Sequence, residues 1–214
     1  MLLLILGLAI ASGLISFGNT QRLKTAVSER LEDLGREIEH LDSERLTDHL
    51  TGLGNKRALS HALLQPALLS QHYTVLALDI DHFKQVNDRW GHDVGDVVLA
   101  GFGRVVSSAL RPHDLPFRSG GEEFVIVLPR TGLYDALAIA QRIRAAVEAE
   151  PVGEGAPPIT VSIGAAACAG EGVRPEDVLR AADEVLYDAK RGGRNKVVAH
   201  RSMANREASY QEQV

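Results

Sequence analysis

Residues 1–18 (MLLLILGLAIASGLISFG) form an almost unbroken apolar run, and the first charged side chain is Arg22. At 1.5 Å per helical residue such a run spans roughly 27 Å, close to a hydrocarbon core of about 30 Å, which predicts a transmembrane helix over residues 1–20. A cleaved signal peptide competes, with Ala9-Ile10-Ala11 as a small-residue cleavage site. Against it, no Lys or Arg precedes the run, whereas Arg22 and Lys24 follow closely and favour a cytoplasmic C-terminal side. Apolar residues then fall at Val27, Leu31, Leu34, Ile38 and Leu41, a heptad seam of about two heptads. That pattern predicts a helical linker over residues 21–46, either a plain amphipathic helix or the stalk of a parallel dimer.

After Leu46 the pattern changes to alternating helix-like and strand-like segments. Residues 56–71 read as a helix, 73–80 as a buried strand, and 93–110 as a helix preceded by a short helical turn. Residues 115–119 and 123–128 read as strands joined tightly through Gly120 and Gly121. Residues 133–150 are helical, 159–168 a strand, 175–191 a helix with an early proline, and 195–199 a closing strand. Interleaved helices around adjacent hairpin strands predict an α/β (α+β sandwich) domain with a central mixed sheet of about five strands flanked by helices. The polar stretch 200–214 reads as a disordered tail.

Composition narrows the class. Apolar residues at 45% and charged residues at 24% describe a globular chain rather than a disordered one. A formal charge of −5 argues against nucleic acid as a partner, because such domains carry a basic surplus, but leaves room for a local nucleotide site. The single cysteine, Cys168, excludes an intramolecular disulfide framework and a cysteine-based zinc site.

Three clusters carry candidate chemistry. The apolar strand YTVLAL runs into Asp79-Ile80-Asp81, placing carboxylates at a sheet edge where a hard cation could bind, or where an ordinary turn could be capped. Lys84 and Asn87 follow, one a point charge suited to phosphate and the other a donor and acceptor suited to a base edge. In Arg118-Ser119-Gly120-Gly121-Glu122-Glu123-Phe124, two glycines permit positive φ and close backbone approach, and the paired glutamates repel unless a cation lies nearby. Set beside the strand ending at Asp79, this tip would gather Asp79, Glu122 and Glu123 around one point, as metal-assisted phosphoryl chemistry requires. The third cluster, Lys190-Arg191-Gly192-Gly193-Arg194-Asn195-Lys196, reads either as an ordinary helix end or as a phosphate clamp through Lys190 and Arg194.

Taken together, GGEEF at Gly120 to Phe124, DHLTGLGNKR from Asp48, DIDHFKQVND from Asp79, GHDVGD from Gly91, VSIGAA from Val161 and YDAKRGGRNKV from Tyr187 resemble the GGDEF family, the diguanylate cyclases. The resemblance covers roughly residues 48–198, within a domain at 47–199, in the GGEEF variant of the signature, and Asn55-Lys56 stands where the family usually has Asn-Arg. It implies a sheet wrapped by helices like the palm of nucleotidyl cyclases and polymerases. It also implies condensation of two GTP into cyclic di-GMP and two pyrophosphates at a homodimer interface. Carried onto this chain, Asp79, Glu122 and the carbonyl of Ile80 would coordinate Mg²⁺ or Mn²⁺, two ions per half-site, with Glu123 as neighbouring acid and Glu122 as candidate acceptor of the 3′-hydroxyl proton. Asn87 and Asp96 would read guanine, His92 would order the pocket wall, and Lys84, Lys190 and Arg194 would hold the β- and γ-phosphates.

Arg111-Pro112-His113-Asp114 matches the family's RxxD inhibitory motif, with Arg142 where a second arginine usually helps, which implies that cyclic di-GMP is inhibitor as well as product. The expectation is a cyclase tethered to the cytoplasmic membrane through its N-terminal helix, its catalytic domain in the cytoplasm. The alternative is a catalytically silent cyclic di-GMP receptor or scaffold, against which the intact set Asp79, Lys84, Glu122 and Glu123 counts.

Overall fold

The apolar run YTVLALDI builds the centre of the fold: every residue of β1 (Tyr73–Ile80) is buried. In chain order the computed structural model contains α1 (Lys56–Leu63), β1, α2 (Phe83–Trp90), α3 (His92–Ser108), β2 (Leu115–Arg118) and β3 (Glu123–Pro129). There follow α4 (Leu133–Ala149), β4 (Val161–Cys168), α5 (Pro175–Arg191) and β5 (Val197–Ala199). The structure describes residues 46–65, 72–168 and 173–200. The expected membrane helix at 1–20, the linker up to Arg45 and the tail beyond His200 lie outside them. Among the described residues no helix is long and apolar enough to cross a membrane.

The five strands form one mixed sheet in the order β2-β3-β1-β4-β5, antiparallel except for the β4–β5 pair. A strand alternates its side chains, so β1 feeds two cores. Leu76, Leu78 and Ile80 join Phe124, Ile126 and Leu128 of β3 under α2, α3 and α4. Tyr73, Val75 and Ala77 join Val125 and Val127 under α1 and α5. Coverage on both faces explains why β1 reads as continuously apolar rather than alternating. Phe124, the last residue of GGEEF, is 1% exposed and packs its ring 4.6 Å from that of Phe102. Burying such a ring contributes about 1.5–3 kcal/mol, so the tip that precedes it is rooted in the core.

The opening motif docks on this sheet. Gly54 bridges both Thr47 and Phe117, and a Cβ on Gly54 would overlap the Phe117 ring. Asn55 then caps α1, its side-chain oxygen accepting from Arg57 N at 2.9 Å and Ala58 N at 3.1 Å. The helix expected over 56–71 closes at Leu63, where Leu64 and Gln65 turn back onto the carbonyls of His61 and Ala62. Gln65 precedes a proline, and a residue in that position is driven out of the α region. The expected short turn before 93 is the full helix α2, separated from α3 by Gly91 at φ 85°.

Candidate active site

The end of the central strand supplies the first group. Asp79 is 5% exposed and lies directly across the ladder from Glu123 on β3 and Ser162 on β4. Like charges opposite one another on adjacent strands repel. Lys190, in the last turn of α5, answers them with an ion pair from Nζ to Asp79 Oδ2 at 2.6 Å. Burial pushes the Asp79 carboxyl above its ordinary value; Lys190 pulls it back, and the charges of Glu123 and Asp81 add to the rise. Glu122 is likewise raised, by burial and by the charges of Asp79 and Glu123, with Lys190 opposing.

The hairpin tip is positioned by a residue that sequence reasoning left without a role. Arg118 donates Nε to the carbonyls of Gly120 and Gly121, both at 3.1 Å, and Nη2 to Gly121 O at 2.8 Å. Its Nη1 meets both carboxylate oxygens of Asp48 at 3.3 Å. Burial raises the Asp48 carboxyl, but the Thr51 hydroxyl and N–H together with Arg118 outweigh it and hold the group below its ordinary value. The signal was the aspartate that opens DHLTGLGNKR; its arginine partner lies 70 residues on. Neither Gly120 nor Gly121 has the positive φ expected of them. Gly120 is small because the Glu123 carboxylate occupies its side-chain space, 2.5 Å from where a Cβ would stand, while Gly121 faces open space.

The donor set suits a hard divalent cation: three carboxylates against one ammonium, all oxygen ligands at a strand end. They are not drawn into one cage, however. Among the described residues no three acids stand in a ligating arrangement. Glu123 opens β3, whereas Glu122 lies in the bend before it, and Glu123 is turned toward α5. There it lines a cavity of about 570 Å³ with Asp183 and Lys190, between α1, α5 and the sheet. Asp183, which sequence reasoning missed, is raised by burial and by Glu123; its spacing of two helical turns from Lys190 was the available sign.

Asn87 on α2 and Asp96 on α3 do not line that cavity; they stand on the α2–α3 side of the sheet. Gly95 brings these helices together, since a Cβ there would overlap Asn87 Oδ1. Lys84, His92 and Asp96 are exposed and Asn87 half-buried. Lys190, expected at the phosphates, is engaged by Asp79. Arg194 sits in a left-handed turn after α5, at φ 63°.

The RxxD segment lies at the opposite end of β2 from the glycine tip. Asp114 is 8% exposed and spends Oδ2 on the backbone N–H of Arg111 at 2.8 Å, so its carboxylate closes the turn rather than pointing freely outward. The Arg111 side chain is exposed, and Arg142 donates to Ala109 O at 2.6 Å, close in sequence to that turn.

Comparison with known proteins now bears on this geometry. The model of the family described as "Diguanylate cyclase, GGDEF domain" matches residues 45–196. Response regulator PleD of Caulobacter vibrioides is 43% identical over 187 residues, covering 83% of this chain and 41% of PleD. The chain thus spans about two fifths of the length of that curated relative. The coiled coil and GGDEF domain of DgcB from Caulobacter crescentus, solved with c-di-GMP, gives a TM-score of 0.75 at 33% identity over 83% of this chain and 97% of that one. The active GGEEF domain of a Vibrio cholerae diguanylate cyclase gives 0.64 at 34% identity over 69% and 97%. Because the same motifs occupy the strand ends and turns on which the site is built, and the likeness extends through the whole sheet, the chain belongs to the diguanylate cyclase GGDEF-domain family.

Proposed function

We propose that the described domain is one half-site of a diguanylate cyclase: it binds one GTP, and two domains in a homodimer join two GTP into cyclic di-GMP with release of two pyrophosphates. The observation that carries this reading is the acid edge, where Asp79 and Glu122 are held with Glu123 although burial and neighbouring carboxylates make the ionisation of Asp79 and Glu122 harder. A receptor has no use for such repulsion, whereas perturbed acids are what phosphoryl chemistry employs. The family likeness supports the same reading.

Asp79, Glu122 and the Ile80 carbonyl would hold Mg²⁺ or Mn²⁺, two ions per half-site. When bound, such ions neutralise charge developing on the phosphates and lower the pKa of the ribose 3′-hydroxyl. The chain's own residues do the rest. Asp96 accepts from the ring N–H and exocyclic amine of guanine, which adenine does not present together, and Asn87 completes the edge. His92 closes the wall beside them. Lys84, Lys190 and Arg194 hold the β- and γ-phosphates, Lys190 sharing its ammonium with Asp79. Each 3′-oxygen bonds to the α-phosphorus of the other GTP, the bond to pyrophosphate breaks, and the hydroxyl proton passes to Glu122 or to solvent. Residues 1–46 complete the reading as cytoplasmic-membrane anchor and dimer stalk.

The test is to incubate the full chain with GTP and Mg²⁺ at several protein concentrations and separate the nucleotides. Cyclic di-GMP rising faster than linearly with protein is expected. Binding of cyclic di-GMP with no product formed would instead assign the chain to the silent-receptor class.

Product inhibition is part of the proposal, with Arg111, Asp114 and Arg142 as its site. Arg111→Ala should leave the initial rate within about twofold and let product accumulate well past the wild-type plateau, because a guanidinium that grips phosphate or guanine is lost far from the acid edge. An unchanged plateau would remove Arg111 from inhibition.

A second expectation concerns pH. Asp79 and Glu122 have folded-state values raised above the unfolded ones, so their protonated forms favour the fold and that contribution is lost as pH rises through the raised values. Divalent cations oppose this loss. The rise in Tm on adding Mg²⁺ should therefore be near zero at about pH 4, where carboxyls with raised values still hold their protons, and largest at neutral pH. A gain that does not vary with pH would place the cation elsewhere.

A further inference from the structure

Asp81 follows the proposed ligand Ile80, and its carboxylate is taken up by donors from the β4 segment and from the turn after α5. It is 4% exposed, and its acceptor capacity is met by two hydroxyls and one amide. Ser162 Oγ donates to Oδ1 at 2.7 Å, and Thr160 Oγ1 donates to Oδ2 at 2.7 Å. The third donor is the backbone N–H of Asn195, 3.0 Å from Oδ2 and 114 residues along the chain.

That amide belongs to an unusual turn. Arg194 and Asn195 both have left-handed backbones, at φ 63° and 45°, and neither is glycine. Such a pair persists only where its surroundings over-determine it. Here three sides do so: Arg194 N donates to Ala189 O at the end of α5, Asp81 takes Asn195 N, and α4 takes the Asn195 side chain. On α4, Arg144 donates to Asn195 Oδ1 at 2.9 Å, and Asn195 Nδ2 donates to Glu148 at 2.7 Å. Among the described residues the Arg194 guanidinium itself has no carboxylate partner, so the turn is anchored at every point except the side chain it displays.

We propose that Asp81 is a positioning residue for the triphosphate: by holding the Asn195 N–H it fixes the left-handed turn from which Arg194 engages the β- and γ-phosphates. This inference rests on the reading of Arg194 as a phosphate-binding residue, and the experiment separates the two. Asp81 touches no substrate; it acts through the turn.

The test measures binding of 3′-deoxy-GTP, which lacks the attacking hydroxyl and cannot cyclise, to the full chain in Mg²⁺, with GMP displacement as control. Arg194→Ala should weaken 3′-deoxy-GTP about 10- to 30-fold and GMP less than twofold, since a charge-assisted contact to the distal phosphates is lost. Asp81→Ala should weaken 3′-deoxy-GTP about tenfold with GMP again within twofold. In the Arg194→Ala background the same change should cost less than twofold, because the turn no longer displays anything. Asp81→Asn should stay within about threefold of wild type: its remaining oxygen can serve Asn195 N–H and Thr160, and the Ser162 hydroxyl can rotate to accept from the new amide. Should Asp81→Ala not fold, Thr160→Val with Ser162→Ala leaves the carboxylate in place but unanchored, with a three- to fivefold loss expected that vanishes with Arg194 absent.

Additive effects of Asp81 and Arg194 substitutions, or equal weakening of GMP, would overturn the positioning role. An Arg194→Ala protein that binds 3′-deoxy-GTP normally would overturn the phosphate reading of Arg194 itself.

Discussion

Replacing Glu122 by glutamine should abolish cyclic di-GMP formation while leaving the fold intact and the metal-free protein more stable than wild type. The two effects have opposite signs for one physical reason. At neutral pH the folded domain holds Asp79, Glu122 and Glu123 against a single ammonium, and burial together with neighbouring charge raises the Asp79 and Glu122 carboxyls. Glutamine keeps the size of the side chain and removes one of the repelling charges. The backbone bond from Ile80 N to Glu122 O at 3.2 Å survives. A neutral amide, however, is a poor ligand for a hard cation and cannot accept a proton from the 3′-hydroxyl. Loss of a group that stabilises developing charge costs about 10²–10³-fold in rate, and one that also holds the cation costs at least that. The measurement is initial rate and Tm on the same preparations. A variant retaining a tenth of the wild-type rate would take Glu122 out of the reaction, and a fall in metal-free Tm would show that the edge is not repulsive.

Gly164→Ala is expected to be the most destabilising single-methyl change in the sheet. Gly164 lies on β4 between Ala77 of β1 and Val198 of β5, on the face covered by α5. A Cβ there would overlap the Ala182 carbonyl oxygen and stand 2.5 Å from Leu186 N and 2.9 Å from Leu186 Cα. All three are backbone atoms of α5, so no side chain can rotate aside and the helix itself must lift. Overpacking of this kind costs about 1–3 kcal/mol, and here the upper end, which corresponds to a Tm fall of about 6–12 °C. Lifting α5 also carries Lys190 away from Asp79 and drags the turn at 192–196, so KM for GTP should rise with the instability. Gly121→Ala is the contrast: nothing lies within 4 Å of its Cβ position, and Tm should stay within about 1 °C. Equal Tm values for the two variants would refute the close β4–α5 contact.

Much of this was legible locally. The strand over 73–80 and the helix over 175–191 have the bounds that pattern alone predicts, because continuous apolar character and an amphipathic face opened by proline are properties of neighbouring residues. The motifs could also be assigned to strand ends and helix ends, which is enough to see that carboxylates, guanine-reading groups and basic residues belong to one domain. Misreadings arose where a local rule met a non-local demand. The hairpin-tip glycines were read as permitting positive φ, yet neither Gly120 nor Gly121 adopts it, whereas the non-glycine residues His82, Arg194 and Asn195 do. Hydrogen bonds from distant elements hold the Arg194–Asn195 turn there. Likewise, two adjacent glutamates beside Asp79 suggested one metal-binding point, but among the described residues no three acids stand in a ligating arrangement.

The sequence by itself determined the elements, their order, the family resemblance and the identity of the chemically active side chains. Only the tertiary structure decided that Lys190 lands on Asp79, that Arg118 ties the glycine tip to Asp48, that Gly164 is small because a helix backbone lies against it, and that Asp81 holds the turn carrying Arg194. Propensity and periodicity act over a few residues, whereas each of these contacts joins groups tens of residues apart, and which of them meet is set by how two helical layers close over the two faces of one twisted sheet.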